Sequence, residues 1–187
     1  MKIKEILVRA ATYTGRRDIA NALESGDALD NESAEAVETL LYCYNAVEDE
    51  IARSYAPLKT KQRLNSIVGV YDFSEFGYTP VKILSVTDLS GRKVKYEIGS
   101  SYIKCDEREV FVEYEYSPSK KDLDGDCAFL PEQVTLRMLA AGTAAEYCLI
   151  NGEVRLAECY ECVYRQEIDG IRRRAVAELK FPPRRWV

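Results

Sequence analysis

Apolar positions along this chain recur at two spacings, and the change from one to the other divides it. Before residue 57 and again after residue 130 they repeat every three or four residues, as on a helix; in between they alternate. Ile3, Ile6, Leu7, Ala10 and Ala11 predict a short amphipathic helix closed by Gly15. Ile19, Ala22 and Leu23 predict a second over Arg16 to Ser25, ended by Ser25-Gly26. After a polar connector, Asn31 is expected to cap a long helix over residues 32–56, with Glu32 and Glu35 in its first turn. Its stripe is Val37, Leu40, Leu41, Tyr44, Val47, Ile51 and Tyr55. Such a helix spans about 38 Å at 1.5 Å per residue. Pro57 stops it, because the residue before a proline is pushed out of helical geometry. Lys59 to Leu64 is expected to add a further basic helical turn.

The middle reads as strands. Ile67 to Phe73, Val81 to Thr87, Lys93 to Ile98, Ser101 to Cys105 and Val110 to Tyr116 are the segments, with Ser90-Gly91-Arg92 as a hairpin turn. Val94, Tyr96 and Ile98 share one face, as do Val110, Val112, Tyr114 and Tyr116. Four or five antiparallel strands result. Ser117 to Phe129 is a polar loop that returns the chain to helix.

Leu130-Pro131-Glu132-Gln133 predicts a helix start, with proline in the first turn and Glu132 at the positive end of the dipole. Val134, Met138, Ala141, Gly142, Ala145 and Leu149 then fall on one face, whose small central residues admit another helix closely. Asn151-Gly152 breaks the run. Ala157, Tyr160, Tyr164, Ile168 and Ile171 mark a second helix, so a helical hairpin is expected to be the platform for the rest. The expected fold is α+β: a helical bundle from residues 1–65 and 130–176, an inserted antiparallel β domain at 66–129, and an extended C-terminal tail at 177–187.

Composition adds mainly exclusions. At 187 residues, 47% hydrophobic and 30% charged, the chain is an ordinary soluble globular sequence. No apolar run approaches the roughly 20 residues that span a bilayer. The N-terminus alternates charge with apolar residues, unlike a secretory signal, so folding in a cytoplasm is expected. Histidine is absent, which removes Ser-His-Asp and Cys-His chemistry and most zinc site types. There is no phosphate-binding glycine loop, and no enzymatic activity, catalytic residue or cofactor is expected. Cys43, Cys148, Cys159 and Cys162 fall in helical segments, where free cysteine is usually a small buried hydrophobe. Cys159 and Cys162 form a CxxC spacing, but without a second pair or a strand-to-helix junction no metal or redox role is assigned. The acidic runs Glu48-Asp49-Glu50, Asp106-Glu107 and Asp122 to Asp126 read as solvated faces rather than cation sites; the last lacks the calcium-loop spacing.

Net charge is −5, from 26 basic and 31 acidic residues. Arg172 to Val187 holds six basic residues against Glu178, leaving +5 there and −10 elsewhere. Lys180, Phe181, Pro182, Pro183, Arg184, Arg185, Trp186 and Val187 combine aromatic anchors with arginines, and two prolines favour an extended form. Three readings stand for this tail: docking peptide, disordered end, or nucleic-acid contact, the last opposed by the acidic body.

The order of parts resembles the head–tail connector (adaptor) proteins of tailed bacteriophages, the tail tubular protein A group. The resemblance lies in Ile51-Ala-Arg-Ser-Tyr55-Ala-Pro57-Leu58 at the end of a helix, and in a β domain closing on a Val-x-Val-x-Tyr-x-Tyr strand. It continues in a Leu-Pro-x-x-Val segment, in the Ala-rich run Leu139 to Tyr147, and in Tyr160 and Tyr164 before the arginines. It covers about Asn31 to Arg174. It implies a structural virion protein of the neck, assembled in the host cytoplasm. The subunits form a ring, usually dodecameric, between the portal protein and tail or stopper proteins. The packaged DNA passes through without specific binding, and no membrane is involved. By the same resemblance, Lys180 to Val187 dock on the portal. An acidic body suits a channel that must not grip DNA. The alternatives are a stopper or tail-completion ring protein, which is expected to hold less helix, and a cytoplasmic module that recruits a partner through its tail. A ring also needs two different interfaces per subunit, for which Tyr42, Tyr44, Tyr55 and the tyrosines of the last helix are candidates.

Overall fold

The computed structural model describes residues 1–177. Its described residues form five α-helices and two small antiparallel sheets, an α+β fold with helices flanking the β region. Two compact units result: Met1–Glu48 together with the chain from Lys121 onward, and Asp49–Lys120.

The helical unit is built from α1 (Ile3–Tyr13), α2 (Arg17–Ser25), most of α3 (Asn31–Ser54), α4 (Leu136–Ile150) and α5 (Val154–Ala177). Two helix starts differ from expectation. Asp30, not Asn31, caps α3, its carboxylate accepting the Ser33 amide at 2.8 Å. Thr135, not the Pro131 segment, caps α4; it is extended, and its hydroxyl accepts the Met138 amide at 3.0 Å. Leu130 to Val134 forms a preceding turn, with the Gln133 and Val134 amides donating to the Leu130 carbonyl. A side-chain oxygen that satisfies an otherwise unpaired helix amide outweighs the preference of proline for the first turn.

The expected hairpin forms, with Asn151-Gly152 as its turn and Gly152 at φ +75°. The small residues of α4 lie where helices press together. Ala140, Ala141, Ala144 and Ala145 are buried, and a methyl group at Gly142 would lie 2.8 Å from the Val47 side chain of α3 and 3.1 Å from the Tyr164 ring of α5. On α5, Ala157, Tyr164, Ile168 and Ile171 are buried as the spacing predicts. The rings of Tyr13 and Tyr160 stack at 5.3 Å between centroids, and the Tyr160 hydroxyl donates to the Tyr13 carbonyl.

The return segment after the β unit is held by α3 and the N-terminus. Asn45 accepts the Lys121 amide at 2.7 Å and donates to the Lys121 carbonyl at 3.1 Å. Glu48, only 1% exposed, accepts the Tyr44 hydroxyl at 2.6 Å and the Ala128 amide at 2.7 Å on the same oxygen. The Ile3 amide donates to Gly125, the Cys127 amide to Met1, and Lys2 pairs with Asp126 at 2.8 Å. Glu48 therefore departs from the solvated acidic face expected of it: its carboxylate is a buried acceptor.

The β unit opens with the end of α3, where the Ser117 hydroxyl and the Arg53 guanidinium both donate to Asp49. Lys59 to Leu64, expected to add a helical turn, lies instead in strand β1 (Leu58–Asn65). Its alternation is real but chemically disguised. Lys59, Lys61 and Arg63 face outward, while Leu58, Thr60, Gln62 and Leu64 take the partly or fully buried positions. Gln62 is accommodated there because its carbonyl oxygen accepts the Tyr114 hydroxyl at 3.0 Å and the Gly77 amide at 2.8 Å, and its amide donates to the Glu75 carbonyl. The other strands are β2 (Val70–Asp72), β3 (Thr79–Thr87), β4 (Tyr96–Ile98), β5 (Tyr102–Cys105) and β6 (Glu109–Ser117). They form two three-stranded sheets, ordered β1-β6-β3 and β2-β5-β4, rather than one unit of four or five strands. The expected turn after β3 is present, organised by the Asp88 carboxylate accepting the Ser90 and Arg92 amides. After one bridge, Thr87 to Lys93, the chain leaves β3 and β4 pairs with β5. Tyr71, Ile103, Val86, Val110, Val112 and Tyr114 fill the core that both sheets share.

Two glycine substitutions in the helical unit are expected to act in opposite directions. Gly142→Leu overfills the seam among α3, α4 and α5 and lowers stability by about 3 kcal/mol or more. Gly170→Ala meets nothing within 4 Å in mid-helix α5 and raises stability by up to about 1 kcal/mol. Urea denaturation of both variants measures the contrast. Glu48→Leu leaves the Tyr44 hydroxyl and the Ala128 amide without their acceptor and costs about 2–4 kcal/mol. Glu48→Gln keeps one acceptor oxygen and costs less, and exchange of the Ala128 amide accelerates only in the leucine variant.

Candidate interaction surfaces

Uncovered apolar side chains occur on both units. In the helical unit they gather at the α4–α5 turn: Leu149 is 57% exposed, Ile150 55%, and Val154 and Leu156 are also exposed. Leu149 was expected on the packed face of α4. It lies in the last turn of α4, which ends at Ile150.

In the β unit the loop between β1 and β2 presents Ile67 and Val68 side by side, 87% and 76% exposed. The loop is held firmly beneath them. The Ser66 amide donates to the Arg108 carbonyl, the Ser66 hydroxyl accepts the Val70 amide, and the Gly69 carbonyl accepts the Cys105 amide at 2.9 Å. Gly69 is obligatory: its φ is +71°, and a methyl group there would lie 2.1 Å from the Cys105 carbonyl oxygen. Ile67 and Val68 read as strand core in the sequence because they are β-branched. The Gly69 beside them was the signal for a turn.

The tyrosines divide. Tyr44 and Tyr164 are core, Tyr55 and Tyr160 are half-buried, and Tyr42 is 65% exposed. On α3, Glu35, Glu38, Tyr42 and Ala46 form one outward stripe. Neither Glu35 nor Glu38 has an ion-pair partner among the described residues. On the outer face of the larger β sheet, by contrast, charges are matched: Lys59 and Lys61 of β1 lie opposite Glu115 and Glu113 of β6, and Arg63 pairs with Glu109. The tail residues assigned to docking, Lys180, Phe181, Pro182, Pro183, Arg184, Arg185, Trp186 and Val187, lie outside the described residues.

The remaining candidates show no assembled chemistry. Asp126 pairs with Lys2, which holds its carboxyl below the usual range, and the Asp122 carbonyl accepts the Gly125 amide. Among the described residues no group of three or more Cys, Asp or Glu is placed to hold a metal ion. Cys159 and Cys162 are exposed on α5, a departure from the buried reading, whereas Cys43, Cys105 and Cys148 are buried. Clefts of about 630 Å³ beside Tyr96 and about 490 Å³ beside Val8 carry charges of both signs on their walls. Among the described residues, no helix is long and apolar enough to cross a membrane. Compared with protein-family models and with curated proteins, nothing matches this chain.

Burial pushes the Cys43 thiol up to about 12 and the Cys148 thiol to about 11, from an ordinary value of 9.0. Burial likewise raises the Tyr44 hydroxyl, with Glu48 adding to the effect. The folded state thus keeps these protons after the unfolded state has released its own. The contribution of these groups to stability is therefore fully present below pH 9 and is lost as pH rises through the window from 9 to about 12. Thermal unfolding between pH 8 and 11 under reducing conditions measures the slope. The Cys43→Ala/Cys148→Ala variant is expected to show a shallower one, by up to one proton per thiol, whatever its absolute stability.

Proposed function

We propose that this chain is a structural, non-enzymatic subunit of a ring-shaped head–tail connector in a tailed-phage virion, set between portal and tail proteins and continuing the DNA channel. The observation that carries the proposal is the pair of unlike apolar surfaces left uncovered on one chain, the Ile67-Val68 loop and the α4–α5 turn. Monomers seldom leave such side chains in groups, and a closed ring needs two different surfaces per subunit, each meeting the other kind on a neighbour. A helical unit with an inserted β unit accords with the resemblance read from Ile51 to Leu58, Val110 to Tyr116 and Leu139 to Tyr147.

Charge supports the channel role. Before Arg172 the helical unit holds nine basic and nineteen acidic residues, a surface that repels rather than grips a polyanion. The packaged DNA then passes without a specific site. A stopper built mainly of strands fits less well, since three of the five helices here have fifteen residues or more.

The deciding experiment is quantitative mass spectrometry of purified virions from the phage that encodes the chain. A ring-sized copy number per particle, far below that of the major capsid protein, is the expected result. Absence from particles overturns the connector reading and leaves a cytoplasmic binding module as its successor.

A further inference from the structure

The charges of this chain are segregated by unit. Asp49–Lys120 holds eleven basic and eleven acidic residues, so it is neutral. The helical unit up to Ile171 has an excess of ten acids, and Arg172 to Val187 has an excess of five basic residues. An acidic excess complementary to the basic segment is therefore present on the same chain, in the helical unit.

Within that unit the outward stripe of α3 has the matching chemistry. Among the described residues Glu35 and Glu38 have no ion-pair partner, and the Tyr42 ring lies exposed one turn further along. Glu35 and Tyr42 are separated by about 10 Å along the helix. In the tail sequence, Phe181 and Arg185 flank two prolines and are about 12 Å apart in the extended spacing that prolines favour. The described chain stops at Ala177, with ten residues still to come, enough to reach roughly 30 Å.

We infer that the C-terminal segment of one copy docks on the outward face of α3 in the next copy, with Arg184 and Arg185 against Glu38 and Glu35 and Phe181 against Tyr42. The inference rests on the ring proposal, which supplies the neighbour. Each copy then gives a tail and receives one, the head-to-tail arrangement that closes a ring. The docking surface that the resemblance places on the portal is here supplied by the chain itself.

The test is reciprocal charge reversal in the full-length protein, read as self-association by light scattering across concentration and salt. Glu35→Lys/Glu38→Lys and Arg184→Glu/Arg185→Glu are each expected to weaken association about fivefold or more, and the combination of all four to restore it. Tyr42→Ala weakens it as well, and added salt weakens the parent. All these positions on α3 are exposed, so circular dichroism should not change. A parent that stays monomeric at its highest soluble concentration, or a four-fold variant that fails to recover, overturns the inference. If Arg184→Glu/Arg185→Glu abolishes incorporation into virions yet leaves self-association intact, the tail's partner is the portal and only this inference falls. If the charge swap restores association but virions lack the chain, the connector reading falls and the docking stands.

Discussion

A helical unit interrupted by Asp49–Lys120 has to be closed again, and the closure at α3 is the constraint on which the rest of the structure depends. Two chain segments far apart in sequence meet there, and the entropy of closing that loop opposes the meeting. The offsetting contacts sit where the chain departs and returns. Asn45 grips the Lys121 backbone with both ends of its amide, and Glu48 receives the Ala128 amide while Tyr44 holds its carboxylate oxygen. These groups are polar and largely buried, so each is costly unless all are satisfied. The N-terminus adds a third strand of support, since Met1 to Ile3 bonds across Gly125 to Cys127. The polar segment between the units is thus ordered by backbone-directed hydrogen bonds rather than by apolar packing.

Once that point is fixed, the seam around Gly142 follows. A helix whose middle is Ala-Ala-Gly-Thr-Ala-Ala gains little from long side chains, and its stability depends on close contact with α3 and α5. Val47 belongs to this contact and lies one residue before Glu48. Polar closure and apolar seam therefore share one turn of α3, and neither can shift without disturbing the other. The cost of such tight packing is visible at Thr143, whose buried hydroxyl has no partner among the described residues.

Helix existence, the α4–α5 hairpin and the inward face of β6 were legible because their apolar residues keep a clean period. What escaped did so for definite reasons. The alternation of β1 was hidden because its inward set includes Thr60 and Gln62, and glutamine becomes an interior residue only through Tyr114, Gly77 and Glu75, which lie elsewhere in the chain. Glu48 sits in a run of three acids that looks solvated, and the residue that buries it is eighty positions away. Pro131 announces a helix start that Thr135 overrides, a competition between two local signals that sequence alone does not rank. On the surface, the exposed Ile67-Val68 pair and the exposed end of α4 carry the same residue types as the core, so composition could not separate exposed from interior positions.

The division of labour between the two kinds of surface then has a physical logic. Apolar contact is non-directional and persists in salt, whereas attraction between unlike charges acts over a Debye length and fades as ionic strength rises. In this chain the apolar groups are displayed by rigid features: Gly69 allows the Ile67-Val68 loop its one conformation, and Asn151-Gly152 ends α4 sharply. Among the described residues, Glu35 and Glu38 on the stripe of α3 have no ion-pair partner, and the sequence from Arg172 onward carries a basic excess. The β unit has matched its own charges across Lys59, Lys61, Arg63 and the glutamates of β6, and offers no net attraction. Under the proposed ring, long-range attraction falls to the helical unit and the basic segment. In the same proposal, short-range fit falls to the exposed Ile67-Val68 loop and the α4–α5 turn. A chain built to stay alone would gain nothing from keeping ten excess acids in one unit and five excess bases in the segment that follows it. A chain built to associate gains both speed of encounter and a fixed direction for it.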